Sequence, residues 1–228
     1  MIVITAGTPE YLPIIEAQAR KCAEFGYRHV IYDLGGLGIG EPHIVAPEDL
    51  KPTVNGDSLP PATFKAALVA KQFETALPNE LVVWMDADCL PLHDFTIPGH
   101  YGGFDAAVTL RAANEIGLSN NPALDYLNSG VVWIRNNTPG QEFCKAWGRQ
   151  SALMNTDQGA LNACVNEGWT AKDWRMAVGK SWISDLLPAK ILVLDCAEWN
   201  SWHPPFTGAR IAHFKRGIRY LAKDYVNR

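Results

Sequence analysis

The chain has 228 residues, a formal net charge of -4, 47% hydrophobic residues and 19% charged residues. This composition is typical of a globular protein and excludes an extended disordered chain. It carries no basic run before its C-terminal end, which argues against a nucleic-acid partner because phosphate binding requires clustered lysine and arginine.

The first predicted elements form a β-α-β unit. Residues 1–5 are an apolar strand, residues 10–25 have apolar positions at helical spacing, and residues 29–32 are a second strand that ends at Asp33. Gly26 ends the helix, as glycine commonly does just past a helix C-terminus. Because such crossovers are right-handed, we expect the two strands to be parallel.

A segment rich in glycine and proline, residues 34–61, follows without helical or strand periodicity. Its length is unusual for a loop inside a compact domain, which predicts a functional or mobile segment. A helix over residues 62–76 then returns the chain to an apolar strand at 81–85.

Two carboxylates, Asp86 and Asp88, stand one residue apart at the exit of this strand. Like charges this close resist joint ionisation. A divalent cation that prefers oxygen ligands, Mg²⁺ or Mn²⁺, removes that cost. Since ligands of open α/β sheets bind at the carboxyl ends of strands, the position favours a metal site. The alternative is a solvated turn, because Asp-X-Asp is a short pattern.

The second half of the chain predicts a mixture of strands and helices around the same sheet. We expect α/β architecture, with one mixed, mostly parallel central sheet and helices on both faces. The predicted strands are 105–111, 127–135, 192–194 and 211–214, the predicted helices are 140–153 and 157–166, and 112–125 is a polar loop.

Two polar groups in this half are candidates for ligand contact. Gly130, early in the strand at 127–135, lets a ligand approach the backbone, and Asn128 offers donors and acceptors. The pair Asp157 and Gln158 begins a helix, where it can point into a cleft and orient sugar hydroxyls. Both groups have plain alternatives, namely a turn that enters a buried strand and an ordinary helix N-terminus.

The C-terminal segment 210–219 joins His213 to several cations, including Arg216 and Arg219. One interpretation is a solvated basic helix with a packed histidine. The other makes neutral His213 a third metal ligand and the cations a diphosphate clamp. The aromatic and polar segment 199–205 is a weak indication of an acceptor site.

Targeting and redox features indicate a soluble, cytoplasmic protein. No basic region or cleavage site precedes the first strand, and no apolar run reaches the roughly 18 residues of a membrane span. The five cysteines are far apart and include no Cys-X-X-Cys pair, so we expect free thiols in a reducing compartment.

Taken in this order, these motifs resemble the metal-dependent glycosyltransferases of the GT-A fold, and most closely those of family 8. The shared order is strand-Asp-X-Asp, then Asn-Ser-Gly and a strand, then Asp-Gln-X-X-Leu-Asn, then a late histidine followed by an aromatic residue. The resemblance runs from residue 2 to about residue 219 and implies a single Rossmann-like GT-A domain over 1–228. Residues 1–110 would be its nucleotide-binding half and 111–228 its acceptor-side half.

The resemblance also implies a role for each matching residue. Arg219 takes the place of the family's diphosphate-binding lysine, while Arg216 replaces a family glycine and so departs from the pattern. The implied roles are metal ligands for Asp86, Asp88 and His213; donor contacts for Thr5, Ala6, Gly7, Asp33, Asn128, Arg219, Arg216 and either Lys65 or Lys71; and contact with the transferred sugar for Asp157 and Gln158.

The implied activity is transfer of a hexose from a nucleotide-diphosphate sugar, most simply a UDP-sugar, to an acceptor hydroxyl with retained configuration. A Mn²⁺ or Mg²⁺ ion is the implied cofactor, and the acceptor is a carbohydrate, a lipid-linked glycan or a protein. A non-catalytic protein of the same fold that binds carbohydrate or nucleotide sugar remains an alternative. A sugar nucleotidyltransferase is another, although residues 6–10 lack the glycines and basic residues of its triphosphate loop.

Overall fold

A seven-stranded sheet runs through the molecule. The computed structural model describes residues 1–39, 53–54, 57–58, 64–112, 126–154, 156–165 and 168–226. Within these ranges the strands are β1 (Ile2–Gly7), β2 (Arg28–Asp33), β3 (Thr53–Val54), β4 (Asp57–Ser58), β5 (Leu81–Met85), β6 (Cys89–Pro91), β7 (Ala106–Leu110), β8 (Leu127–Arg135), β9 (Ser181–Ile183), β10 (Lys190–Asp195) and β11 (Ile211–His213).

The helices connect these strands on both sides of the sheet. They are α1 (Leu12–Glu24), α2 (Lys65–Phe73), α3 (Thr138–Met154), α4 (Asp157–Val165), α5 (Ala171–Ala177) and α6 (Cys196–Trp199). Short 3-10 helices cover Pro9–Tyr11, Gly99–Tyr101 and Arg216–Asp224.

The sheet has the strand order β2-β1-β5-β8-β7-β10-β9 and is mixed and mostly parallel, as predicted. Strand β1 is parallel to β2 and β5, and β7 is parallel to β10. Strand β8 lies antiparallel between β5 and β7, and β9 lies antiparallel at the edge beside β10. Because β8 is reversed, its first residues lie beside the last residues of β5 and β7.

Side chains alternate between the two faces of the sheet along each strand, which explains why helices cover both faces. Along β1, Ile2 and Ile4 pack into the core beneath α2, α3 and α4, whereas Val3 packs with Cys22 of α1 on the other face. All three β1 side chains are fully buried. Successive strand residues point to opposite faces, so a continuous apolar run serves two helix layers.

The predicted elements are present, with shifts at their ends, and several short elements were not predicted. Helix α5 begins with a capping box in which the Thr170 side chain and the Asp173 side chain each bond the other's backbone, a local sequence signal that periodicity alone overlooks. The predicted segment 34–61 and the loop 112–125 lie mostly outside the described residues. All five cysteines are free and buried, as expected.

Candidate active site

The candidate site begins where β5 ends. Asp86 and Asp88 follow Met85 directly, and the backbone N–H of Asp86 donates to the carbonyl of Gly130 on β8 at 2.8 Å. Asp88 is buried and Asp86 is partly exposed, so the pair is not a solvated turn. The sheet therefore places both carboxylates beside the first residues of β8.

A two-stranded ribbon brings His213 to the same place. Strand β11 pairs antiparallel with β6, in a register that sets His213 opposite Cys89. As a result, the His213 Nε2 atom lies 3.1 Å from Asp88 Oδ1 and 4.0 Å from Asp86 Oδ2. The backbone N–H of Phe214 donates to the Asp88 carbonyl at 2.7 Å, which anchors the ribbon next to the carboxylates.

The residues at this point fit a divalent cation. Two carboxylates and one imidazole nitrogen are ligands that Mn²⁺ and related ions accept. Ligand atoms of Asp88, Cys89 and His213 also lie within 4.8 Å of one another. However, burial raises the pKa of the Cys89 thiol well above its usual range, and the thiol contacts the Gly130 carbonyl at 3.8 Å. Asp86 is therefore a better third ligand than Cys89.

Lys65, at the start of α2, links two of the aspartates. Its Nζ atom lies 2.6 Å from Asp86 Oδ1 and 2.6 Å from Asp157 Oδ2. The Trp84 indole N–H also donates to Asp86 Oδ1 at 2.7 Å, and the Ser129 hydroxyl donates to Asp157 Oδ2 at 2.5 Å. Asp157 is thus a buried carboxylate with two partners at Oδ2 rather than an exposed residue of a helix N-terminus.

The charges in this group are mutually dependent. Burial raises the pKa of Asp86, with Lys65 acting against that shift. For Asp157, burial also opposes ionisation, but the Lys65 ammonium and the Ser129 hydroxyl hold its pKa below the usual value. The pKa of Lys65 is raised because the two carboxylates outweigh its own burial. The ammonium group therefore stays charged.

Asp88 is held as an anion by other partners. Its burial opposes ionisation, whereas its contacts with His213 and Arg219 lower its pKa below the usual value. The Arg219 Nη2 atom lies 3.4 Å from Asp88 Oδ2, and its guanidinium lies 5.1 Å from the centre of the Tyr11 ring. Only the backbone of Arg216 is described, at the start of the last 3-10 helix.

Two adjoining pockets meet along these charged residues. The first is lined also by Ala6, Tyr11, Leu34, Trp84 and Ala87. The second is lined also by Asn128, Ser129, Asp157, Gln158, His213 and Lys215. Both share Lys65, Asp86, Asp88 and Arg219. One elongated cleft therefore runs from the end of β1 to the start of α4.

Four residues at the exits of β1 and β2 were predicted to contact the donor. Of these, Ala6 lines the cleft. The Thr5 hydroxyl instead donates to Gln18 Oε1 at 2.8 Å inside the core, so its side chain is not available to a ligand. A Cβ atom at Gly7 would collide with Ile15 of α1, which explains this glycine by packing. Asp33 Oδ1 accepts from two backbone N–H groups of the following turn, at 2.7 and 3.0 Å.

Of the two lysines considered, only Lys65 lies in the cleft. Lys71 is exposed and pairs with Glu74 at 2.9 Å. In the segment 199–205, Trp199 is buried and packs on Trp133 with ring centres 6.0 Å apart, whereas residues 203–205 are exposed, so the weak indication of an acceptor site stays a prediction. Cleft residues that were not predicted from sequence include Tyr11, Trp84 and Ser129, whereas Lys215 is one of the cations of the predicted clamp.

A family model described as nucleotide-diphospho-sugar transferase matches residues 79–212, more than half of the chain. The chain belongs to this family and is a glycosyltransferase. The matched range contains Asp86, Asp88, Asn128 and Asp157, and it ends one residue before His213. A comparison with curated proteins gives no match.

Solved structures support the same fold. A glycosyltransferase involved in the glycosylation of the major capsid of PBCV-1 is similar, with 12% identity, a TM-score of 0.54 and coverage of 100% of this chain and 98% of that one. The galactosyltransferase LgtC, in complex with donor and acceptor sugar analogs, has 14% identity, a TM-score of 0.52 and coverage of 100% and 94%. GlyE of Streptococcus pneumoniae TIGR4 has 14% identity, a TM-score of 0.51 and coverage of 99% and 59%.

These comparisons confirm the predicted GT-A fold and the resemblance to family 8 glycosyltransferases. None of the helices within the described ranges combines the length and the apolar character that a membrane span requires. The roles of individual cleft residues stay predictions.

Proposed function

We propose that this glycosyltransferase moves a hexose from a UDP-sugar to an acceptor hydroxyl on a carbohydrate, a lipid-linked glycan or a protein. The observation that carries the proposal is the convergence of Asp86 and Asp88 on the Nε2 atom of His213. Three ligands of this kind, two oxygens and one nitrogen, would hold Mn²⁺ or Mg²⁺.

The form of the cleft supports an order for the parts of the donor. The pocket lined by Ala6 and Tyr11 would take the nucleoside, since it combines apolar and aromatic side chains. The diphosphate would lie between the pockets, near Asp88 and Arg219. The hexose would then lie beside Asn128, Asp157 and Gln158, where the second pocket opens.

The protein's own residues would contribute orientation and charge. A bound divalent cation would stabilise the negative charge that develops on the departing diphosphate. The Arg219 guanidinium would add hydrogen-bond donors matched to phosphate oxygens. The Lys65 ammonium contacts the carboxylates of Asp86 and Asp157 at 2.6 Å each. It therefore offsets their negative charges and fixes their positions.

Retention of configuration is part of the proposal, as the resemblance to family 8 implies. Lys65 and Ser129 both bind the Oδ2 atom of Asp157 and hold its carboxylate in place, which suits it to positioning. Gln158 lines the cleft beside it with an uncharged amide. One of the LgtC structures is an active-site variant with glutamine changed to glutamate. A glutamine in the active site of that protein supports the proposal that Gln158 lies near the transferred sugar.

The test is thermal stability of the protein with UDP and related nucleotides, with and without Mn²⁺. Ligand that binds only the native state raises its stability by mass action. UDP with Mn²⁺ should raise the melting temperature more than either alone, and Asp88→Asn should lose this effect. The control is Asp224→Asn, at an exposed position outside both pockets. An equal shift in the presence of a chelator would contradict the metal site.

The transfer reaction is tested separately. Each UDP-sugar is incubated with the enzyme and Mn²⁺, and release of UDP is measured with and without candidate acceptors. The anomeric proton of the product, observed by NMR, then reports whether configuration is retained. An inverted product would refute the retaining part of the proposal and leave the metal site standing.

A further inference from the structure

We propose that Asn200 is a positioning residue that holds the proton of His213 on Nδ1 and so leaves Nε2 as the nitrogen that faces the two aspartates. The inference rests on the proposed function, because it concerns how the third metal ligand is oriented. Asn200 follows α6 and is fully buried. It lies outside both pockets, so it does not contact a substrate.

The Asn200 amide points its oxygen at His213, and the Cys89 thiol also donates to this oxygen at 3.9 Å. Its Nδ2 atom donates to Thr109 Oγ1 on β7 at 3.3 Å, and its Oδ1 atom lies 2.9 Å from His213 Nδ1. An amide oxygen only accepts hydrogen bonds, so the proton between these atoms belongs to the histidine. His213 Nδ1 is therefore the donor of this pair.

This assignment determines what the other nitrogen can do. When a cation is bound, the imidazole is neutral and carries one N–H, so a proton retained on Nδ1 leaves the lone pair of Nε2 for the metal. That atom is 3.1 Å from Asp88 Oδ1, on the cleft side of the ring. Metal-binding histidines commonly donate their second N–H to a neighbouring acceptor, which fixes both tautomer and ring orientation. Asn200 has the geometry of such an acceptor.

The backbone of His213 is also fixed next to Asn200. The backbone N–H of His213 donates to the Ser201 carbonyl at 2.6 Å, directly after Asn200 in the chain. Gly130 leaves room for the ring, since a Cβ atom there would lie 2.8 Å from His213 Nδ1. Rotation of the ring would break its hydrogen bond to Asn200.

The first experiment uses wild-type protein with ¹⁵N-labelled histidine. Two-bond ¹H–¹⁵N correlation spectra with UDP and the diamagnetic ion Mg²⁺ should show a protonated, hydrogen-bonded Nδ1 for His213 and no proton on Nε2. A proton on Nε2 and a bare Nδ1 would overturn the inference. This measurement needs no variant to fold.

The second experiment measures Mn²⁺ affinity by electron paramagnetic resonance. Asn200→Leu, which removes the acceptor, should weaken Mn²⁺ binding by about 10- to 100-fold. Asn200→Asp, which keeps an acceptor, should restore affinity close to that of the wild type. The control is Asn136→Leu, a buried asparagine whose Nδ2 donates to backbone carbonyls of other residues. It should bind Mn²⁺ normally.

The outcomes separate this inference from the proposed function. If wild-type protein fails to bind Mn²⁺, the proposed metal site is wrong. If wild-type protein binds Mn²⁺ and Asn200→Leu binds it equally well, only the role of Asn200 is wrong. Should the leucine variant not fold, Thr109→Val removes the group that orients the amide and should also weaken binding; unchanged affinity there would overturn the inference.

Discussion

The ammonium group of Lys65 lies 2.6 Å from Asp157 Oδ2 and thereby ties the first turn of α2 to the first turn of α4. The same ammonium lies 2.6 Å from Asp86 Oδ1 at the end of β5. Three elements distant in sequence are thus joined through one buried charge. The site depends on this contact for its shape as well as for its charge balance.

Removal of that charge should destabilise the protein strongly. Lys65→Met leaves the buried carboxylate of Asp157 and the partly exposed one of Asp86 without their cation, and breaking a buried pair typically costs about 3–5 kcal/mol. Urea denaturation at neutral pH measures the change in the free energy of unfolding. Lys71→Met is the matched control, since Lys71 lies on the same helix but is exposed and should change stability by about 0.5 kcal/mol or less. Equal effects in both variants would contradict a structural role for Lys65.

The stability contributed by Asp157 should depend on pH. Its pKa is below its usual value in the native state, so the native state favours the anion more than the unfolded chain does. The contribution is therefore present above the unfolded pKa and is lost as the pH falls through the native pKa. Asp157→Asn should accordingly cost more stability at about pH 7 than at about pH 3.

Urea titrations of this variant and the wild type at both pH values measure the difference. Asp224→Asn, which changes an exposed carboxylate, serves as the control. A cost of Asp157→Asn that is the same at both pH values would show that the Lys65 contact adds nothing through its charge.

The strand exits could be predicted from sequence because their signals are local. The apolar run at 81–85 and the two aspartates after it are adjacent in the chain. The choice between Lys65 and Lys71 was also available from sequence. Lys65 shares helical spacing with Leu68, Val69 and Gln72, and all four are buried, whereas Lys71 falls on another face.

The pairing that completes the site could not be predicted in the same way. The ribbon between β6 and β11 has three residues in each strand, too few for a recognisable alternation. Its register sets His213 opposite Cys89, and only the folded chain determines that register. The role of Asn200 was missed for a related reason, because a single buried asparagine leaves no periodic signal and its partner Thr109 lies far away in sequence.

Gly130 should be required for the geometry of the site. A Cβ atom there would collide with the His213 ring and would lie 2.9 Å from Asn128 Oδ1. Gly130→Ala should therefore displace the imidazole and weaken Mn²⁺ binding, with a loss of stability of about 1–3 kcal/mol from overpacking. Gly148→Ala is the control, since a Cβ there would meet Ala66 at an ordinary 3.5 Å. Normal Mn²⁺ affinity in Gly130→Ala would show that the histidine is not a ligand.

Arg219 should affect the transfer reaction more than the binding of the donor. The side chain is 51% exposed, and its 3.4 Å contact with Asp88 is long for a charged hydrogen bond. Part of the guanidinium is therefore free to bind a diphosphate in the cleft that it lines. If that contact strengthens as the diphosphate leaves, Arg219→Ala lowers turnover more than donor affinity.

The expected loss of turnover is about 10²-fold, the size seen when one charge-stabilising donor is removed. Arg219→Lys should recover part of it, because lysine keeps the charge but not the paired donors. Lys223→Ala is the matched control, since Lys223 is exposed on the same 3-10 helix and lines neither pocket. Transfer rates and UDP affinity are measured for all three variants. If Arg219→Ala and Lys223→Ala both behave like the wild type, Arg219 only covers the Tyr11 ring and does not bind the diphosphate.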